Sequence, residues 1–214
     1  MKKILLCGDS IKFGYQRYVM GALDGVAEVY ALTESGRFAQ HMLRWLHEWK
    51  EKEEIPTDID LVHWNVGLWD VLRIMDDDTF TSPEFYGELL LRLQKRIHTL
   101  FPKAKQVFAL STAVVEEKYE PPFQRYNADI EQFNEIAKKT LVPLGVEIND
   151  LYTLTKDAPK NCRSDMTHFY TEEGVLFVGS KVVKTICDIL KIPEENLKAG
   201  SVSVPRLSKE IVGR

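Results

Sequence analysis

Short runs of apolar residues alternate along this chain with longer segments in which apolar residues recur every three or four positions. The runs at residues 59–65 and 106–111 are almost continuously apolar, which is typical of central strands covered on both faces. The full set of predicted strands is 3–8, 27–32, 59–65, 106–111 and 145–148, and the helical patterns are 38–54, 83–100, 126–141 and 171–190. This alternation predicts an α/β fold, a three-layer α/β/α sandwich around a central parallel sheet of about five strands.

Polar residues stand where several of the predicted strands end. Strand 3–8 runs into Gly8-Asp9-Ser10, and strand 59–65 ends at Asn65. In an open α/β sheet the carboxyl ends of the parallel strands share one rim, and ligands usually bind beyond it. We therefore expect these polar side chains to converge on one site, with the hydroxyl and the backbone N–H of Ser10 both facing it.

Ser10 is the candidate nucleophile. A serine hydroxyl attacks well only when a neighbouring base takes its proton, usually a histidine that a carboxylate holds in one tautomer. Asp165 and His168 lie three residues apart just before the last predicted helix, so the carboxylate can reach the imidazole locally. The sequence thus predicts a catalytic triad of Ser10, His168 and Asp165.

Acyl transfer to a serine also needs donors for the oxyanion of the tetrahedral intermediate, each worth about 3 to 4 kcal/mol in the transition state. The backbone N–H of Ser10 is one candidate. Gly36, in the loop after strand 27–32, lets its N–H approach closely because it has no side chain. Asn65 offers a side-chain amide. We therefore predict an oxyanion hole formed by Ser10, Gly36 and Asn65.

In this order and spacing, these residues resemble the sequence blocks of the SGNH hydrolases, also called the GDSL esterase and lipase family. The resemblance covers roughly residues 4–170, and the four blocks are Gly8-Asp9-Ser10, Ser35-Gly36, Asn65-Val66-Gly67-Leu68 and Asp165 to His168. It implies a flavodoxin-like three-layer sandwich and a serine esterase that uses no metal or cofactor. It also implies the triad and oxyanion roles assigned above.

Two positions depart from the family's pattern. Ile11 stands where a leucine usually follows the serine. The third block usually reads Gly-x-Asn-Asp and here reads His63-Trp64-Asn65-Val66, which keeps the asparagine but implies a bulkier wall. The stretch Trp-Asn-x-Gly-Leu-x-Asp looks like a bacterial subgroup associated with acyl groups on sugars, and this likeness favours a carbohydrate ester as the substrate.

Five further residues near these blocks are candidates for substrate binding or support of the site. Arg37, Trp69 and Asp70 follow the predicted oxyanion residues and are expected to line the cleft. Asp9 directly precedes the nucleophile. His63 lies two positions before the end of strand 59–65, on the same face as the residue that ends it, so we expect it to support the site without reaching Ser10.

The charge pattern of the chain argues against other kinds of partner. Its 214 residues include 28 Lys and Arg against 32 Asp and Glu, intermixed along the whole length with a net charge of −4. Because there is no basic stripe to hold a phosphate backbone, nucleic acid is not expected as a partner. The acidic run Asp76-Asp77-Asp78 is interpreted as a solvated loop rather than a metal site, since no further ligand cluster follows it.

The cysteines and the apolar runs bear on the compartment. Cys7, Cys162 and Cys187 are odd in number and widely spaced, which favours a reducing environment over a disulfide framework. The apolar run near Met1 is shorter than the roughly 7 to 15 residues of a signal peptide, and no run approaches the ~20 residues of a membrane span. We expect a cytoplasmic protein that does not bind membranes.

The pattern divides the chain into a hydrolase domain, residues 1–190, and a C-terminal tail, residues 191–214, which is either packed or mobile. The expected function is hydrolysis of a carboxylic ester, such as an acetyl ester of a carbohydrate or similar alcohol, through an acyl-enzyme on Ser10. The sequence is compatible with either a monomer or an oligomer. One alternative is a flavodoxin-like module that binds an anion at the Gly8 to Ser10 loop. Another is a degenerate hydrolase that binds sugar without catalysis.

Overall fold

Five parallel strands form the central sheet of the protein, whose computed structural model describes residues 1–200. A separate pair of two-residue antiparallel strands lies outside this sheet. The strands, numbered in chain order, are β1 (Lys2–Cys7), β2 (Ala27–Ala31), β3 (Leu61–Trp64), β4 (Arg73–Ile74), β5 (Lys105–Ala109), β6 (Phe123–Gln124) and β7 (Glu147–Asn149). The five predicted strands correspond to β1, β2, β3, β5 and β7.

Helices connect the strands of the sheet. They are α1 (Ser10–Ala22), α2 (Ala39–Lys52), α3 (Pro83–Leu100), α4 (Asn127–Leu141), α5 (Leu151–Lys156) and α6 (Glu172–Leu190). The four predicted helices match α2, α3, α4 and α6 to within two residues at each end. The start of α3 shows why the sequence predicts helix ends well. Ser82 Oγ accepts a hydrogen bond from Phe85 N–H, and Pro83 occupies the first helical position.

The order of the parallel strands across the sheet is β2-β1-β3-β5-β7. Only the first two strands depart from chain order, which is the flavodoxin-like arrangement, and its switch point lies between β1 and β3. The predicted three-layer fold around a five-stranded parallel sheet is confirmed. Ser10 and Asn65 follow the two strands that border the switch point, which is where ligands bind in folds of this type.

The helices cover the two faces of the sheet in two sets. Helix α1 packs on α6, whereas α2, α3 and α4 pack on one another in turn. Successive side chains of β3 face these two sets of helices in turn. His63 contacts Tyr15 of α1, and the next residue, Trp64, packs edge-to-face against Phe108 of β5 on the other face of the sheet. All residues of β3 are buried, as expected for a central parallel strand.

Two helices and the β4–β6 pair have no clear signal in the sequence. Helix α1 lacks a clean apolar period because Lys12 and Gly14 occupy buried positions in it. Helix α5 has six residues, too few to show a period, although its cap is regular: Asp150 accepts from the backbone N–H of Thr153. The two-residue strands are too short for alternation to be visible.

His63 lies inside the protein and not at the cleft, so it is not placed to bind a substrate, and of the two roles expected for it only the supporting one fits this position. Its side chain has no exposed surface. Its Nε2 lies 3.1 Å from Asn149 Nδ2, and its Nδ1 lies 3.4 Å from Tyr15 Oη. Asn149 Oδ1 in turn accepts from the hydroxyl of Thr185 on α6. His63 therefore ties β3 to β7 and α1, and burial lowers its pKa to about 3.

The first ten residues of the predicted tail pack on the domain. A 3-10 helix spans Glu194–Asn196, and the backbone N–H of Lys198 donates to the carbonyl of Ala22 at the end of α1. The Lys198 ammonium pairs with the carboxylate of Asp24. The rest of the tail, residues 201–214, lies outside the described residues, so the choice between a packed and a mobile tail stays a prediction there.

We predict that His63→Gln makes stability less sensitive to acid. A histidine whose pKa is about 3 in the folded state and near 6.5 in the unfolded chain binds its proton more readily after unfolding. The wild-type free energy of unfolding should therefore fall with decreasing pH below about 6.5, by at most about 1.4 kcal/mol per pH unit from this group. Urea unfolding at pH 7.5, 6.5, 5.5 and 4.5 measures the slope.

The variant should be less stable than wild type at pH 7.5 by about 1 to 3 kcal/mol, because the side-chain hydrogen bonds of Asn149 are disturbed. The difference should shrink as the pH falls. His98→Gln removes an exposed histidine on α3 and serves as the control. If wild type and His63→Gln lose stability in parallel between pH 6.5 and 4.5, the assignment of a buried, neutral His63 is wrong.

Candidate active site

The turn from β1 into α1 positions Ser10. Asp9 is the N-cap of α1, and its Oδ1 accepts the backbone N–H of Ile11 at 2.9 Å. Ser10 is therefore the first residue of the helix, where backbone N–H groups have no partner within the helix. Within the described residues the Ser10 N–H makes no hydrogen bond. Both this N–H and the hydroxyl stand beyond the carboxyl end of β1.

The structure brings the three predicted triad residues into one hydrogen-bonded chain. Ser10 Oγ lies 2.8 Å from His168 Nε2, and His168 Nδ1 lies 2.8 Å from Asp165 Oδ2. Ser10 and His168 are each 5% exposed. In the tautomer that suits these contacts, Nδ1–H donates to the carboxylate and Nε2 accepts from the serine hydroxyl. The arrangement fits removal of the hydroxyl proton by the imidazole.

Asp165 is kept ionised by the loop around it. Burial would raise the pKa of its carboxyl, but the hydrogen bond and charge of His168 and the backbone N–H groups of Thr167 and His168 outweigh that effect and lower the pKa to about 2. The two backbone N–H groups lie 2.7 and 2.8 Å from Asp165 Oδ1. The three-residue spacing thus lets one carboxylate hold both the backbone and the ring of its histidine.

Tyr170 is a site residue that the sequence did not indicate. Its hydroxyl donates to the backbone carbonyl of Ser10, and its ring lies 4.8 Å from the His168 ring between centroids. Gly14 makes room for it, because a Cβ at that position would stand 3.0 Å from the tyrosine ring. Nothing in a lone tyrosine two positions after the histidine signals such a contact, since its partner is 160 residues away.

Asn65 and Asp9 form a buried pair next to Ser10. Asn65 Nδ2 donates to Asp9 Oδ1 at 2.7 Å, and the residues are 5% and 1% exposed. Burial raises the pKa of Asp9, while the hydrogen bonds from Asn65 and Ile11 and the charges of His168 and Arg125 lower it. Asp9 therefore caps α1 and holds Asn65, which corrects its assignment as a substrate-binding residue. The second N–H of the Asn65 amide is left for another acceptor.

Gly36 lies against the nucleophile loop, but its N–H is already engaged. The backbone N–H of Gly36 donates to the carbonyl of Gly8 at 2.7 Å. A Cβ at position 36 would stand 3.1 Å from the Gly8 carbonyl carbon, so the close approach needs a glycine. The prediction that Gly36 donates to the oxyanion does not describe this structure; the Ser10 N–H and the Asn65 amide are the remaining donors.

Asp70 is structural and does not line the cleft, contrary to expectation. It has no exposed surface and accepts the backbone N–H of Ala39, the first residue of α2, together with the hydroxyl of Thr81 at 2.8 Å. Burial raises the pKa of Asp70 to about 7, against the effect of these hydrogen bonds. Its carboxylate therefore fixes the start of α2 and the segment before α3.

Arg37 and Trp69 are accessible, as expected of residues at a cleft. Arg37 is exposed and lines a cleft of about 1040 Å³ that also includes Phe13, His41, Trp45 and Trp49. Trp69 is partly exposed, and its ring centre lies 5.8 Å from the guanidinium carbon of Arg125. Arg125, from the loop between β6 and α4, is a second residue that sequence reasoning missed, because that loop has no periodic pattern.

The fold that carries this site can be compared with those of known proteins. No family model and no curated protein sequence matches the chain. The lipase/acylhydrolase from Enterococcus faecalis has 20% sequence identity and a TM-score of 0.67, covering 94% of this chain and 100% of that chain. The fold is that of the GDSL-like lipases and acylhydrolases.

Two further solved structures with this fold are similar to the chain. A GDSL-like lipase from Bacteroides thetaiotaomicron is 14% identical with a TM-score of 0.64, covering 88% of this chain and 89% of that one. An acetyl xylan esterase is also 14% identical with a TM-score of 0.64, covering 86% and 99%. The sequence-based expectation of an SGNH-type fold agrees with these structures.

Residues 1–200 show neither a metal-binding cluster nor a membrane-spanning helix. That range contains no group of three or more His, Cys, Asp or Glu side chains placed to hold a metal ion. It also contains no helix long and apolar enough to cross a membrane. The run at Asp76 to Asp78 is exposed, and Asp78 lies 3.8 Å from the guanidinium of Arg73.

We predict that Gly8→Ala damages the site through Asn65. A Cβ at position 8 would stand 1.9 Å from Asn65 Oδ1, so the amide must move and its hydrogen bond to Asp9 must break. The expected loss in the free energy of unfolding is about 1 to 3 kcal/mol, measured by urea denaturation. In a crystal structure of the variant, Asn65 should be displaced from Asp9.

Gly87→Ala is the matched control. Gly87 lies within α3, and the nearest heavy atom to an added Cβ is 3.4 Å away, an ordinary contact. Because alanine favours a helix over glycine by about 0.5 to 1 kcal/mol, this variant should keep or gain stability. Equal stability of Gly8→Ala and wild type would show that the close packing of Gly8 on Asn65 is misassigned.

Proposed function

We propose that this protein is a serine esterase that hydrolyses a short-chain carboxylic ester, most simply an acetyl ester of a carbohydrate or similar alcohol. The observation that carries the proposal is the continuous chain Ser10 Oγ–His168–Asp165, with 2.8 Å at each hydrogen bond. The acetyl xylan esterase and lipases that share the fold support an ester as the substrate class. Each of these proteins is similar in fold only, so the activity itself is our inference.

The proposed reaction has two steps. Ser10 Oγ attacks the ester carbonyl carbon while His168 Nε2 takes the hydroxyl proton, and the resulting tetrahedral oxyanion accepts hydrogen bonds from the Ser10 N–H and the free N–H of the Asn65 amide. The C–O bond to the alcohol then breaks, and the imidazolium returns the proton to the leaving alkoxide. Water repeats the sequence on the acyl-enzyme and releases the carboxylic acid and Ser10.

The surroundings of Ser10 favour a short acyl group and a polar alcohol. Ser10, His168 and Asn65 are each 5% exposed, which leaves little room for a long chain at the carbonyl. The cleft beside Gly36 is lined by aromatic rings, among them Phe13 and Trp45, and by charged side chains of both signs: Arg37, Lys52, Glu34, Glu48 and Glu51. Such a charged and polar lining suits a polar alcohol.

The anion-binding alternative suits the site less well. A phosphate cradle at the start of a helix uses free backbone N–H groups and the positive end of the helix dipole. Here the side chain of Asp9 already accepts the backbone N–H of Ile11 at the start of α1, so this donor is not free for a phosphate. That alternative also assigns no role to the contact between Asp165 and His168.

Ser10→Ala tests the nucleophile. The variant should lose labelling by a fluorophosphonate and lose hydrolysis of 4-nitrophenyl acetate by at least about 10³-fold, because no other group can form the acyl-enzyme. Ser180→Ala, an exposed serine on α6, should label and turn over as wild type does. Undiminished labelling of Ser10→Ala would exclude Ser10 as the nucleophile.

Asp165→Asn tests the role of the carboxylate. An asparagine donates from its amide to Nδ1, which would place the imidazole proton on Nε2, where it cannot accept from Ser10. We expect kcat for 4-nitrophenyl acetate to fall about 10³- to 10⁴-fold with little change in KM. Asp157→Asn, at an exposed position after α5, controls for loss of a surface charge. A loss below tenfold would show that Asp165 does not orient the base.

A further inference from the structure

Arg125 is a nearly buried charge that the proposed mechanism does not use. It is 8% exposed. Its Nε donates to the backbone carbonyl of Leu68 at 2.5 Å, and its Nη1 lies 3.2 Å from the hydroxyl of Tyr119. The guanidinium carbon is 5.8 Å from the ring centre of Trp69 and 5.7 Å from that of Tyr119. These contacts fix the plane of the guanidinium.

In the described part of the chain Arg125 forms no ion pair at contact distance, although its charge acts on the nearby carboxyl of Asp9. Among residues 1–200 no carboxylate lies within 4.0 Å of its guanidinium, and its Nη2 has no hydrogen-bond acceptor there. Arg163 also has no carboxylate partner there, but both of its Nη atoms donate to backbone carbonyls, and Arg73 pairs with Asp129 at 2.8 Å. Arg125 Nη2 is not among the fully buried polar atoms of residues 1–200 that lack a partner, so this edge of the guanidinium is accessible to a bound ligand.

Arg125 connects the two loops that carry the site. Leu68, which accepts from its Nε, lies three residues after Asn65. Tyr119, which accepts from its Nη1, has its hydroxyl 2.6 Å from Thr167 Oγ1, next to His168 in sequence. Its charge is close enough to Asp9 to help lower the pKa of that carboxyl. The guanidinium is therefore held between the oxyanion side and the base side of the site.

The chemistry of a held guanidinium limits what it binds. Arginine keeps its proton, and its planar group presents parallel N–H donors that match the two oxygens of a carboxylate or phosphate. With Nε and one Nη1 hydrogen engaged, the Nη2 edge is the part left for a ligand. A neutral ester would leave the Nη2 edge without a charged acceptor in the complex.

We propose that Arg125 binds an anionic oxygen group, a carboxylate or a phosphate, on the alcohol part of the ester, so that the substrate is an acylated acidic sugar or a similar anionic alcohol. This inference rests on the proposed esterase function. It deepens that function by naming the charge of the substrate and the residue that selects it. Arg125 is then a specificity-determining residue, separate from the groups that break the ester bond.

The test compares three acetyl esters: acetylated glucose, acetylated glucuronic acid and acetylated glucose 6-phosphate. Wild type should show a kcat/KM at least about tenfold higher for one or both anionic esters than for the neutral one, as expected for one charged hydrogen-bonded contact. A preference for the carboxylate ester alone or the phosphate ester alone identifies the anion. Equal kcat/KM for all three esters would overturn the inference.

The variants Arg125→Met and Arg125→Lys separate recognition from structural support. The measured quantity is the ratio of kcat/KM for the preferred anionic ester to that for the neutral ester, because a general loss of folded enzyme cancels in it. The ratio should fall to near one in Arg125→Met and to an intermediate value in Arg125→Lys, which keeps the charge but not the planar fork. An unchanged ratio in Arg125→Met would overturn the proposal.

Arg37→Met provides the discriminating control, since Arg37 is the exposed arginine of the neighbouring cleft. If Arg37→Met loses the preference for the anionic ester and Arg125→Met keeps it, the anion binds at Arg37 and the inference is rejected. Calorimetric binding of glucuronate, glucose 6-phosphate and glucose to wild type and Arg125→Met needs no turnover. Anion binding that depends on Arg125, without hydrolysis of any ester, would reject the esterase and retain the anion site.

Discussion

The carboxylate of Asp9 is the contact on which the geometry of the candidate site depends. It accepts from Ile11 N–H, which sets the first turn of the helix that begins at Ser10, and from the Asn65 amide at the end of β3. Burial raises the pKa of this carboxyl, and the hydrogen bonds from Asn65 and Ile11 and the nearby charges of His168 and Arg125 offset part of that rise. One buried carboxyl group thereby positions both the candidate nucleophile and the candidate oxyanion donor.

This arrangement requires backbone segments to approach more closely than side chains permit. Gly8 leaves space for the Asn65 amide, and Gly36 packs its backbone on the Gly8 carbonyl. The ends of β1 and β3 and the loop before α2 are consequently bound together without any substrate. Such preorganisation suits a site that must stabilise an oxyanion, because the donors do not have to reorient during the reaction.

Sequence reasoning succeeded where the controlling interactions are local or follow from strand order. The apolar runs gave the five sheet strands, and the three-residue spacing of Asp165 and His168 indicated a contact that one loop can form by itself. It failed for polar residues whose environment depends on how deeply the residue is buried in the domain. Period-two alternation puts His63 and Asn65 on the same face of the predicted strand 59–65. It does not show that His63 lies in the interior and Asn65 at the rim. Likewise, the direction of the Gly36 N–H depends on loop torsions.

Three basic side chains show how depth in this fold determines the state of a charge. His63, in the sheet interior, has its pKa lowered to about 3 by burial and is satisfied as a neutral group by Asn149 and Tyr15. Lys12, in α1, has its pKa lowered by burial to about 7, and its amine donates to the Leu32 carbonyl. An arginine cannot respond in this way, because its guanidinium stays protonated in proteins. Arg125 lies at the rim of the sheet, where its Nη2, which has no acceptor in residues 1–200, is the place for the proposed anion.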